Sequence, residues 1–159
     1  RQAFSLFQQF GAKLCWEPEG LRAAPGVLQP VSSIDASQIP DLVPVLAATA
    51  AFCPGVTSIT GAARLRMKES DRLKTVAQGI TALGGDIREL PDGLVITGKP
   101  GLAGGRVKGF NDHRIVMAMA IASLGCDQPV VITDAQSVGK SYPDFFEDFI
   151  ALGGKADVI

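Results

Sequence analysis

The sequence has one histidine, three cysteines and almost no net charge, and each shortage removes a class of function. A lone His113 argues against a histidine-rich metal centre. Cys15, Cys53 and Cys126 are odd in number and form no CxxC spacing, so neither a disulfide framework nor a cysteine metal site is expected. They read as buried, reduced thiols of a cytosolic protein. A formal charge of −1 supplies no field that would draw the chain onto nucleic acid or anionic lipid. The longest apolar run, Leu42 to Cys53, falls short of the roughly 20 residues that a membrane-spanning helix needs. No signal peptide is visible. The expectations are a cytoplasmic location, a monomer, and no dealings with nucleic acid or membrane.

What is present is one charged stretch on an otherwise apolar chain of 159 residues, nearly half of them hydrophobic. From Arg64 to Lys74 the sequence places five cations and two carboxylates between an apolar strand pattern and an amphipathic helix pattern. A strand-to-helix junction already favours anions, because helix N–H groups and the positive end of the helix dipole point outward there. Lys68 and Arg72 would strengthen such a site for phosphate or carboxylate. The bland reading, a solvated charged turn with i,i+4 pairs, stands beside it.

The rest of the chain alternates short strand and helix patterns. Ala3, Phe4, Phe7 and Phe10 share a helical face that Gly11 terminates. Strands are expected over Lys13–Glu17 and Leu21–Ala24, around Pro18-Glu19-Gly20, and over Val27–Ile34. Pro40-Asp41 starts a helix that is apolar on every side from Leu42 to Phe52, the signature of a helix buried all round. Thr57–Thr60 is a strand, and Asp71–Leu83 an amphipathic helix with Leu73, Val76, Ala77, Ile80 and Leu83 inward.

A repeat underlies this order. Gly11 and Gly84, Pro18 and Pro91, Gly20 and Gly93, Leu21 and Leu94, Cys53 and Cys126, and Thr60 and Thr133 are all 73 residues apart. The same offset matches the apolar helix at Leu42–Phe52 with a second at Ile115–Gly125. A third amphipathic helix, Tyr142–Leu152, begins another partial copy. The fold expected is α/β, built of βαβαββ units with one wholly apolar and one amphipathic helix each, the apolar helices inside. The first residues fall within a helical pattern and Ile159 where a new strand would begin, so a fragment of a longer protein is expected.

The offset also matches Asp41 with Arg114, and Lys68 with Ser141 beside Lys140. Residues at equivalent ends of repeated elements converge, which would bring Asp41, Lys68, Glu69, Arg72, His113, Arg114 and Lys140 onto one surface. Each has a plainer reading. Asp41 and Asp71 suit the first turn of a helix, and Asp112-His113-Arg114 could be a cap with solvated neighbours. Ser137-Val138-Gly139-Lys140-Ser141 lacks the spacing of a phosphate-binding loop. Glu69 is the most informative carboxylate, a candidate acid or base among cations.

Four segments, in order, carry a resemblance. Arg66-Met67-Lys68-Glu69-Ser70-Asp71-Arg72 resembles the R-x-K-E-[ST]-D-R segment of 5-enolpyruvylshikimate-3-phosphate synthases. Asp112-His113-Arg114-Ile115-Val116-Met117-Ala118 is similar to their D-H-R-x-x-M-A segment. Ile39-Pro40-Asp41 and Gly139-Lys140-Ser141-Tyr142-Pro143-Asp144-Phe145-Phe146 match two more. The resemblance implies a transferase of aromatic amino acid biosynthesis that moves the enolpyruvyl group of phosphoenolpyruvate to the 5-hydroxyl of shikimate 3-phosphate and releases phosphate, without metal or other cofactor. It implies two domains, each a pseudo-threefold, inside-out α/β barrel of βαβαββ units, with residues 1–159 most of the C-terminal one and the N-terminal domain absent. It further implies Asp41 as the base, Lys68 beside the same hydroxyl, and Glu69 as the acid that protonates the methylene carbon. Arg72, Arg114 and Lys140, with His113 beside them, would clamp phosphoenolpyruvate. Arg64 stands where some members place an Asn that contacts shikimate. Two rival readings are the sister enolpyruvyl transferase acting on UDP-N-acetylglucosamine, and a repeat-built anion-binding scaffold without chemistry.

Overall fold

Over residues 2–159, the computed structural model turns these patterns into five α-helices and eight strands. Helix α1 (Gln2–Gln9) ends at Gly11, whose φ of +98° only glycine adopts without strain. Strands β1 (Lys13–Glu17) and β2 (Gly20–Ala24) then form an antiparallel hairpin around Pro18-Glu19. The strand expected over Val27–Ile34 is a correction. Only β3 (Ser33–Asp35) is strand, and the segment before it is irregular and largely exposed. Pro25 and Pro30 lack the N–H that a ladder there would need.

The stretch Pro40–Leu42 forms one 3₁₀ turn, and helix α2 (Val43–Ala50) follows. It buries Val43, Pro44, Leu46, Ala47, Ala48 and Ala50, as an all-round apolar helix should. Strand β4 (Gly55–Thr60) leads through a 3₁₀ segment, Ala63–Met67, to helix α3 (Arg72–Ala82) and then to β5 (Asp86–Leu90) and β6 (Gly93–Gly98). The order from β3 to β6 is β-α-β-α-β-β, one complete unit. Its sheet runs β3-β4-β6-β5, with β3 and β4 parallel and the other pairs antiparallel.

The unit then begins again with β7 (Gly105–Val107), helix α4 (His113–Ser123), β8 (Val130–Ile132), a 3₁₀ segment Ala135–Lys140, and helix α5 (Phe145–Ala151). Registers repeat with the 73-residue offset. Lys13 pairs with Ala24, and Asp86 with Thr97; Ser33 pairs with Ser58, and Arg106 with Val131. Even the thiols match, since Cys53 Sγ donates to Thr49 O and Cys126 Sγ to Ala122 O. The expected repeat is thus a repeat of structure. Helices α2 and α4 lie in the interior with the inner face of α3, and Leu46, Leu73, Ile80, Ile115 and Met119 are wholly buried. Each such side chain contributes about 1.5–3 kcal/mol relative to exposure.

The thiols were expected to be buried. Cys53 is, and burial pushes it up to about 11; Cys126 is half-buried. Cys15 is exposed, because it lies on the β1–β2 hairpin, which has no β4 equivalent along β2 among the described residues.

Candidate active site

The 3₁₀ turn before α2 presents Asp41, the N-terminus of α3 presents Lys68 to Arg72, and that of α4 presents Asp112 to Arg114. The packing of α2, α3 and α4 brings these three ends together. Helix N-termini leave N–H groups unpaired, and capping residues satisfy some of them. Asp71 accepts from Lys74 N at 3.2 Å, and Asp112 from Arg114 N at 3.0 Å. Asp71 is therefore a cap, as expected for a first-turn acid. It also holds Arg66 at 2.9 Å; that arginine reaches Glu89 at 2.6 Å and the carbonyls of Leu90 and Pro91, tying the charged turn to β5.

Arg72 is the hub. It is 3% exposed, with a guanidinium set among three carboxylates. Its Nε donates to Asp112 Oδ2 at 2.9 Å and its Nη2 to Asp112 Oδ1 at 3.1 Å, a bidentate pair. Its Nη1 donates to Asp41 Oδ1 at 3.0 Å, and Nη2 lies 3.8 Å from Glu69 Oε2. Lys68 Nζ stands 3.5 Å from the same Asp41 oxygen, and His113 Nδ1 lies 3.0 Å from Glu69 Oε2. Five of the residues expected to converge, Asp41, Lys68, Glu69, Arg72 and His113, thus form one connected set.

Arg114 and Lys140 border it. Arg114 is the second residue of α4, half-buried, with no side-chain ion pair or hydrogen bond among the described residues. Lys140 donates to the carbonyl of Asn111, one residue before Asp112. Phe110 and Asn111 both hold left-handed φ, 55° and 52°. That conformation is uncommon for a bulky Phe, and such strain often marks functional sites. Arg64 lies apart; it is exposed and donates to Ser37 O at 3.3 Å.

Sequence reasoning left two members out of its site list. Asp112 is wholly buried, and Ser70 Oγ donates to its Oδ2 at 2.8 Å. Burial pushes the Asp112 carboxyl up, but Arg72, Ser70 and the Arg114 N–H outweigh it and hold the group below the usual carboxylate range. The available signal was its place in the Asp112-His113-Arg114 run, where a helix cap was reason enough for an Asp.

Glu69, Asp112 and His113 offer ligand atoms within 4.8 Å of one another. Both Asp112 oxygens already accept from Arg72, and a cation there would face the guanidinium. The donor set suits an ion-pair network better than a metal centre. Two shallow, open surface depressions lie elsewhere, one beside β1 and β2 and one at Arg106 and Lys108. Neither includes a residue of the cluster.

A network of this composition, at the ends of repeated βαβαββ elements, can be set against known proteins. The family model described as EPSP synthase (3-phosphoshikimate 1-carboxyvinyltransferase) matches residues 1–149. The chain belongs to that family. A Clostridium novyi 3-phosphoshikimate 1-carboxyvinyltransferase is 55% identical over 125 residues, covering 79% of this chain and 29% of the relative. One from Clostridium perfringens is 44% identical over 155 residues, covering 97% of this chain and 36% of the relative. The solved EPSP synthase of Acinetobacter baumannii superposes with a TM-score of 0.83 at 31% identity, over 96% of this chain and 38% of that one. The chain spans about a third of the length of such relatives, in agreement with the expected partial domain.

Proposed function

We propose that residues 1–159 form most of the C-terminal domain of a two-domain enolpyruvyl transferase. The full-length polypeptide would transfer the enolpyruvyl group of phosphoenolpyruvate to the 5-hydroxyl of shikimate 3-phosphate. The observation that carries this is the continuous contact from Lys68 through Asp41, Arg72 and Glu69 to His113, at 3.0–3.8 Å throughout. Asp41 and Glu69, which we read as base and carbon acid, lie on either side of one buried guanidinium.

The chemistry uses both. As the 5-hydroxyl oxygen bonds to the substituted carbon of phosphoenolpyruvate, Asp41 takes the hydroxyl proton. Glu69 gives a proton to the methylene carbon. Loss of phosphate, which carries away the proton held by Asp41, then restores the double bond as the Glu69 carboxylate takes a methyl proton back. Lys68, beside Asp41, faces the hydroxyl. His113 orients Glu69 through the Nδ1–Oε2 contact. Phosphoenolpyruvate carries a carboxylate and a phosphate, so several fixed donors are needed to hold it. Arg114 and Lys140 are the open cations at the border, whereas Arg72 is enclosed and holds the carboxylates in place. Arg64, on the neighbouring turn, is assigned to the shikimate ring side.

Lys68 and Glu69 are exposed and Asp41 half-buried beside the buried Arg72, an arrangement that suits one wall of a cleft. A second domain would supply the other wall, further anion contacts and the exclusion of water. In an assay of phosphate release from phosphoenolpyruvate, the full-length polypeptide should turn over only when shikimate 3-phosphate is present, and the purified 159-residue chain should show none. No turnover by the full-length polypeptide would overturn the functional reading. Turnover by the isolated chain would overturn the half-site reading.

A further inference from the structure

Glu69 sits on a strip, residues 67–70, that joins the 3₁₀ segment to α3. Among the described residues, no backbone–backbone hydrogen bond holds Lys68, Glu69 or Ser70. Met67 is 83% exposed and packs into nothing that could hold the strip down. Its course therefore depends on side chains at its two ends. At the far end, Ser70 Oγ bonds to Asp112 Oδ2 at 2.8 Å and to Thr75 Oγ1 at 3.1 Å. At the near end stands Arg66, with every nitrogen of its guanidinium engaged. Nε donates to Pro91 O at 2.9 Å and Nη2 to Leu90 O at 2.7 Å, both carbonyls at the β5–β6 turn. Nη1 donates to Asp71 Oδ2 at 2.9 Å and to Glu89 Oε1 at 2.6 Å. The bond to Asp71 closes a loop around residues 67–70, and the bonds to the hairpin pin that loop in place.

We infer that Arg66 is a positioning residue: its fork anchors the strip to the β5–β6 hairpin so that Glu69 stays against His113. The inference rests on the function proposed above, since it takes Glu69 as the proton donor. A half-exposed ion pair adds little stability by itself, but a planar fork that meets four acceptors fixes direction as well as distance. Glu69 needs that direction more than its neighbour does. Lys68 has a long, flexible stem that lets its ammonium follow Asp41 when the backbone shifts, whereas the shorter Glu69 moves with the backbone. The repeat speaks against a role in forming the helix start. The 73-residue offset puts Gly139 where Arg66 stands and Asp144 where Asp71 stands. Helix α5 begins at Asp144 without such an arginine.

The test is steady-state kinetics of the full-length polypeptide with each substrate varied. Arg66→Ala should lower kcat by about tenfold or more, because a misplacement of about 1 Å can cost about 10²-fold. KM for phosphoenolpyruvate should stay within about threefold, because Arg114 and Lys140 stand on other elements and share no bond with Arg66. Arg66→Lys keeps the charge without the fork and should recover part of the loss. Glu89→Gln, which loosens the fork from β5 without touching the strip, should lower kcat by about two- to fivefold. In a Glu69→Gln background, Arg66→Ala should lower kcat by less than about threefold more, since the group it places is gone. A smaller fall in kcat, a larger rise in KM for phosphoenolpyruvate, no recovery by Lys, or a further loss beyond that limit in the Glu69→Gln background would overturn the inference. If Arg66→Ala does not fold, as judged by its unfolding transition, Arg66→Lys decides. It should lower kcat by about threefold or more, and by less than about twofold in the Glu69→Gln background, and any other result overturns the inference. Absence of turnover in the unsubstituted protein would instead count against the proposed function.

Discussion

At the scale of single residues, the molecule's ion pairs divide by burial. Arg22 and Glu17 meet at 3.3 Å on an exposed hairpin, where such a pair contributes little. Arg72 and Asp112 meet in the interior, where removing one partner strands the other. Asp112 therefore makes stability depend on acid. Its folded carboxyl sits below the ordinary value of 3.8, so the stability it contributes is complete above that value and is lost as pH falls through the lower, folded pKa. Asp112→Asn should be less stable than the parent at pH 7 by about 1.5–3 kcal/mol, the range for hydrogen bonds to charged groups. The two proteins should converge as the pH falls through that folded pKa. Urea unfolding across that range measures it; parallel curves would show that the pair contributes no linkage. Much of this was hidden from sequence. Asp112 follows Asn111 at a helix start, where a cap explains it fully, and only the fold shows Arg72 arriving from a segment 40 residues earlier.

At the scale of elements, legibility followed periodicity. Helix α3 was read closely from Leu73, Val76, Ile80 and Leu83, all now wholly buried, and from Gly84, whose φ is +91°. The hairpins were read from their Pro and Gly turns. The error over Val27–Ile34 came from apolar residues in an extended, proline-interrupted stretch, where hydrophobicity alone does not decide between strand and irregular backbone. The repeat compensates for weak local signals, because one copy explains the other. Gly93 and Gly20 are equivalent, but a Cβ on Gly93 would lie 1.9 Å from the carbonyl oxygen of Ile59 on β4, whereas nothing lies within 4 Å of one on Gly20. Gly93→Ala should thus force β6 away from β4 and lower stability by about 1–3 kcal/mol, seen as a lower denaturant midpoint. An unchanged midpoint would show that the β4–β6 ladder is not held by that close approach.

At the scale of the whole molecule, buried apolar helices of a repeated unit point their N-termini to one place. Three helix ends supply Asp41, the Lys68–Arg72 segment and Asp112–Arg114, and the segment after β8 supplies Lys140. The convergence was legible from the 73-residue offset, since equivalent ends of equivalent elements must meet. The wiring within it was not. Arg72 was expected among open cations for an anionic substrate, and it is instead enclosed by Asp41, Glu69 and Asp112. The open cationic border falls to Arg114 and Lys140. That division assigns the proton chemistry to carboxylates held by one guanidinium, and it makes Glu69 the residue on which the catalytic reading turns. The decisive measurement is phosphate release from phosphoenolpyruvate and shikimate 3-phosphate by the full-length polypeptide carrying Glu69→Gln. The account predicts a fall in kcat of about 10²–10⁴-fold with the fold intact, the range for a positioned proton donor. A rate equal to that of the unsubstituted polypeptide would contradict it and leave the cluster as an anion-binding scaffold.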